Sequence, residues 1–99
     1  MENQIINALL ATQKALLGCV TPELRAVVVD IDERKKIFHI SFFYDGNVNE
    51  EIIELWNCAS TEASCEIPMT YKTNEQYLQI NFPEKIPFIS GRYAYLRKE

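Results

Sequence analysis

His39 is the only histidine in the sequence, and it stands midway along a run rich in β-branched and aromatic residues, 36–44. Any Cys–His or Ser–His chemistry would have to rest on this one ring, because a nucleophilic thiol or hydroxyl needs an adjacent base to activate it. Zinc motifs built on two histidines are excluded by the count. The thiols are Cys19, Cys58 and Cys65, an odd number with no CxxC pair. Such spacing suits neither a zinc site nor a disulfide framework, so the three read as small hydrophobes in a reducing compartment. Asp30 and Asp32 share one strand face and could approach a cation, but they flank the polar stretch Asp32-Glu33-Arg34-Lys35 and read more simply as a solvated hairpin flank. Gly18, Gly46 and Gly91 form no phosphate-cradling loop. These residues predict no catalytic site, no metal and no cofactor, with His39 as a partly exposed strand histidine.

Charge is distributed more informatively. Residues 37–71 hold six acids (Asp45, Glu50, Glu51, Glu54, Glu62 and Glu66) and no Lys or Arg, whereas the rest of the chain holds eight acids and ten bases. The net charge of −4 therefore arises in the middle third. Nucleic acid is disfavoured as a partner there, since phosphate recognition depends on Lys and Arg. An anionic patch instead attracts and steers basic proteins. Trp56 lies among these acids and Tyr44 precedes the acidic turn; each could anchor a contact or pack in the core.

These side chains must be positioned by a small number of elements. Residues 3–17 read as a helix in which Ile6, Leu9, Leu10, Gln13 and Leu17 recur at helical spacing. Leu16 widens that stripe, which is expected to pack on a sheet, and Gly18 stands where a left-handed C-cap belongs. Strands follow at 24–31 and 36–44, joined by the polar stretch 32–35. In the second strand Phe38, Ile40, Phe42 and Tyr44 form the apolar, core-facing set. After the turn signal Asp45-Gly46, Asn49 is placed to cap a second helix from 50 to about 60, with Glu50, Glu51 and Glu54 near the positive end of its dipole. Segments 62–71 and 77–82 then look like a strand pair joined around 72–75, and 91–97 like a last strand. The order α-β-β-α-β-β-β predicts an α+β fold, with an antiparallel or mixed sheet of about five strands and two helices.

Ninety-nine residues, 47% of them hydrophobic and 24% charged, suit one globular domain spanning 1–99. The acidic, polar start lacks the basic region of a secretory signal. No apolar run approaches the ~20 residues that cross a bilayer. A cytoplasmic protein without a membrane partner is expected.

Several short segments together resemble a small bacterial immunity-protein-like family associated with polymorphic toxins and contact-dependent growth inhibition. They are Ala15-Leu16-Leu17-Gly18 with Thr21-Pro22, Leu24-Arg25-Ala26-Val27, Phe43-Tyr44-Asp45-Gly46, Glu50-Glu51, Thr61-Glu62 and Tyr95-Leu96-Arg97-Lys98-Glu99. The resemblance implies a cytosolic, non-enzymatic protein that binds and blocks one toxin domain. Taken with the charge pattern, it predicts a basic, nuclease-type toxin as the partner, contacted through Tyr44, Asp45, Glu50, Glu51, Glu54, Glu62 and Glu66. A regulatory or adaptor domain, monomeric or homodimeric, is the alternative, and an enzyme with a site around His39 the third reading.

Overall fold

The computed structural model describes residues 4–87 and 90–99. Helix α1 (Gln4–Ala15), strands β1 (Leu24–Asp32) and β2 (Ile37–Tyr44), helix α2 (Glu50–Ser64), and strands β3 (Lys72–Gln79) and β4 (Arg92–Leu96) follow in that order. The fold is α+β, with two helices over a mixed sheet of four strands ordered β3-β2-β1-β4.

The hairpin β1–β2 forms the middle of the sheet, antiparallel from Leu24 opposite Tyr44 to Asp32 opposite Ile37. Its turn is held by the Asp32 carboxylate, which accepts from the backbone N–H groups of Arg34 and Lys35 at 3.1 and 3.0 Å. Those two bonds, that of Lys35 foremost, hold the Asp32 carboxyl below its ordinary range. The alternation in β2 is as the residue pattern implies: Phe38, Ile40 and Phe42 are fully buried under the helices, with Tyr44 packed beside them. Phe43, on the other face, is also buried, because Ala26 and Val28 together with Ile80 and Ile86 cover it in a second, smaller cluster.

In the β1–β2 pairing, register is interrupted near the start of β1. Leu24 pairs with Tyr44 but Ala26 pairs with Phe43, so Arg25 is an extra residue in the strand. Such a bulge re-aims side chains. Leu24 and Val27 consequently both reach the main core, while Ala26 joins the far cluster. Arg25 itself is buried, and its guanidinium donates to both carboxylate oxygens of Glu99, at 2.6 and 2.8 Å, and to the Ile80 carbonyl at 2.6 Å.

Four strands stand where about five were expected, and the difference lies in α2. The segment 62–71 is not a strand: α2 runs on to Ser64, and residues 65–71 form turns. Ala59, Ala63 and Ile67 recur every four residues and are all buried, so the helical stripe under α2 persists beyond Ser60. Pro68 disfavours helical backbone at the residue before it and bars continuation. The expected link 72–75 becomes the first half of β3, which pairs parallel to β2 from Ile37 opposite Lys72 to Tyr44 opposite Gln79. A parallel partner requires a crossover, and α2 is that crossover.

Helix α1 also differs from expectation. Its buried residues are Ala8, Ala11, Thr12 and Ala15, with Leu16 just beyond, whereas Ile6, Leu10 and Leu17 are exposed. Three alanines on the inner side let the helix backbone approach α2, β1 and β4 closely, and that face wins over the bulkier one.

Gly91 enters β4 with φ +128°, where an added Cβ would collide with the Val29 carbonyl oxygen and lie 3.0 Å from the Cβ of Asp30. Gly91→Ala is expected to cost about 2 kcal/mol, combining backbone strain with displacement of a central strand. Urea denaturation measures it; a loss below about 0.5 kcal/mol would show that β4 does not need this close approach.

Candidate functional site

The acids of the middle segment are distributed by α2. Asn49 caps the helix: its side-chain oxygen accepts from the Ile52 N–H at 2.9 Å. Glu50 and Glu51 occupy the first turn, where the positive end of the helix dipole stabilises them. One side of α2 is held down by buried Trp56, Ala59, Ser60 and Ala63. At about 100° per residue, that pattern leaves Glu50, Glu51, Glu54, Cys58 and Glu62 on the outward side, and all five are exposed.

Four of the seven residues expected at the site are thus brought onto one helix face. Among the described residues none of Glu50, Glu51, Glu54 and Glu62 has an ion-pair partner. The other three stand differently. Asp45 forms a pair with Arg97 at 3.2 Å and accepts from the Phe82 N–H at 3.2 Å. Glu66 lies beyond the helix, 3.6 Å from Lys14 of α1. Tyr44 is half-buried, with its ring 5.8 Å from Trp56. Tertiary structure therefore supplies Lys14 and Arg97 as cations to the two ends of a segment that has none of its own.

Trp56 is a core residue. Phe42 lies between its ring, at 5.8 Å, and that of Tyr77, at 5.1 Å, both nearly parallel to it. The indole N–H donates to the Cys19 carbonyl at 3.1 Å, tying the end of α1 to the middle of α2. On the β3 side, Glu75 accepts from Asn57 at 2.7 Å and from the Tyr77 hydroxyl at 2.6 Å. Burial, with the Glu75 carboxylate second, pushes the Tyr77 phenol well above its ordinary value. Glu75 extends the anionic surface toward β3, and no local motif could have signalled this, because only the parallel pairing brings it beside α2.

His39 is on the opposite face of the sheet from the helices. Its Nδ1 lies 3.0 Å from the Asn74 amide nitrogen, a donor, so the ring nitrogen accepts. Beside it an open groove of about 650 Å³ is lined by Asp30, Asp32, Gly91 and Arg92 among others. Among the described residues no hydroxyl, thiol or amine side chain lines that groove. Cys19 packs against the main core on the helix side, so the sheet separates it from His39. Burial, reinforced by the charge of Glu62, raises the Cys19 thiol and disfavours the nucleophilic thiolate. Cys58 and Cys65 are free and exposed. Among the described residues no three His, Cys, Asp or Glu side chains converge as a metal site, and no helix is long and apolar enough to cross a membrane.

The arrangement is a helix held down by Trp56 that presents a row of exposed carboxylates, unpaired among the described residues. No curated protein matches the chain. A family does: the one described as MafI2 immunity protein matches residues 6–99, nearly the whole length, and the chain belongs to it.

Proposed function

We propose that this immunity-family protein acts in the cytoplasm by binding a basic, nuclease-type toxin domain and blocking it, without catalysis of its own. The observation that carries the reading is the outward face of α2, where Glu50, Glu51, Glu54 and Glu62 are exposed and unpaired among the described residues of a chain with net charge −4. Leaving four like charges together costs stability through mutual repulsion. A cationic partner relieves that cost. Tyr44, Asp45 and Glu66 flank this face and would join the contact at its rim, where charges contribute less to affinity because water still screens them.

At physiological salt the negative potential of the face extends about 8 Å. Charge of this kind chiefly speeds encounter, while desolvated contacts govern dissociation. Glu54→Lys/Glu62→Lys is therefore expected to slow association with a cognate basic toxin domain about tenfold at low salt and to flatten its salt dependence. Glu33→Lys/Glu84→Lys makes the same change in net charge away from α2 and is the comparison. Stopped-flow measurement of both variants decides the matter. Equal association rates would remove the acidic face from the interface, and failure of the unaltered chain to bind would remove the toxin-blocking reading itself.

A further inference from the structure

The exposed side of α1 is apolar. Ile6, Leu10 and Leu17 are 47, 60 and 79% exposed, and Val20, just past the helix, is 44% exposed. At about 100° per residue Leu10 points directly away from the buried line of Ala8, Ala11, Thr12 and Ala15, and Leu17 is exposed in the turn that follows the helix. Scattered exposed apolar residues are ordinary on a soluble surface, but four close together, two on α1 and two just past its end, are not. Lys14, the one cation on α1, is occupied by Glu66.

This ridge adjoins the acidic face. The Asn7 amide donates to the Glu66 carbonyl at 3.0 Å, and the Cys19 carbonyl accepts from Trp56, so α1 and α2 lie side by side and antiparallel. Glu62 lies on the side of α2 toward α1, close enough for its charge to act on the Cys19 thiol. A face of α2 alone covers roughly 22 by 10 Å, well short of the ~800 Å² per partner of a stable interface. Extension toward β3 meets Glu75 and Tyr77, which already satisfy each other, whereas extension toward α1 meets unpartnered apolar side chains.

Building on the toxin-binding reading, we propose that the α1 ridge of Leu10, Leu17 and Val20 is the anchoring half of that interface, seated in an apolar groove of the partner whose rim on the α2 side carries Lys or Arg. Charge favours this occupant: the exposed carboxylates of α2 lie beside the ridge and complement a cationic rim, whereas a second copy of this acidic chain that stacked α2 on α2 would oppose like charges. The division of labour is that of protein interfaces generally, with desolvated anchors at the centre and charge at the edge.

The test uses the full chain, a cognate basic toxin domain and three proteins: unaltered, Leu10→Gln/Leu17→Gln, and Leu96→Gln, the last altering an exposed leucine on β4. Glutamine keeps helix propensity, and both positions are exposed, so thermal unfolding should be unchanged. Dissociation from the α1 variant is expected to be about 100-fold faster, with association nearly unaltered, while Leu96→Gln behaves as the unaltered protein. Equal dissociation of all three, with binding by the unaltered chain intact, overturns the ridge and leaves the toxin-blocking reading standing. Sedimentation showing a dimer of the unaltered chain that the α1 variant dissolves would assign the ridge to self-association and overturn the proposal as well. Absence of any binding by the unaltered chain overturns both.

Discussion

Trp56→Ala is expected to lower the unfolding free energy by about 4 kcal/mol, the range for removing a fully buried large aromatic. The indole is wholly buried, stacks on Phe42 and touches Tyr44, and it is the largest side chain in the core. Its loss would leave a cavity between α2 and β2, since the other fully buried residues of α2 are the small Ala59, Ser60 and Ala63. Trp56→Phe separates the contributions. It keeps the stack but removes the donor to the Cys19 carbonyl, and is expected to cost about 1.5 kcal/mol. Urea titration followed by far-UV circular dichroism measures both, because neither variant retains the reporter indole. A loss under about 1.5 kcal/mol for the alanine variant would contradict a stack that anchors α2. Since α2 carries the acidic face, partner binding by Trp56→Ala should fall with its folded fraction and recover where the variant is fully folded. Loss of affinity in fully folded protein would point to a direct contact instead.

The second large effect is expected at Glu99. Arg25 is buried and enters from a bulge, and both oxygens of Glu99 answer it in a bidentate pair. Removing one partner from a buried pair leaves a charge without compensation, worth about 3–5 kcal/mol. The Glu99 side chain remains 20% exposed, so the lower end applies: Glu99→Gln is expected to cost about 3 kcal/mol at neutral pH. The pH dependence has a definite sign. Hydrogen bonding to Arg25 holds the Glu99 carboxyl below its ordinary range, so the folded state favours the ionised form. That stabilisation is fully present above the ordinary carboxylate value, near 4.3, and is lost as pH falls through the lower folded value. The unaltered protein and Glu99→Gln should therefore converge in stability on acidification. A difference that stays constant from pH 7 to pH 3 would mean the carboxylate charge is irrelevant to the pair. Arg25→Met/Glu99→Gln should recover part of the loss, because replacing both partners removes the orphaned charge. Glu99 also pairs with Arg97 at 3.0 Å, and Arg97 reaches Asp45 and the Pro22 carbonyl, so the cluster ties the end of the chain to the sheet.

The residue pattern determined much of this architecture without help from distant contacts. The β1–β2 hairpin, its apolar face at Phe38, Ile40 and Phe42, and the Asn49 cap all rest on interactions within a few residues: alternation, a polar turn and a side chain bonding three positions ahead. The acidic helix face was legible for the same reason, because Glu50, Glu51 and Glu54 fall within two turns of one helix. The rest depended on separations in sequence that no local signal spans. Whether 62–71 extended as strand or helix was decided by Ala63 and Ile67 finding α1 and the sheet beneath them. On α1 two apolar faces competed, and close approach through Ala8, Ala11 and Ala15 buried the smaller one and left Leu10 and Leu17 outside. Asp45 and Glu66 looked like part of one uncompensated anionic run until folding brought Arg97 and Lys14 to them across 52 residues in each case. Charge along a chain is additive and can be read from its residues; which charges remain unpaired is a property of distances, and only the tertiary structure sets those.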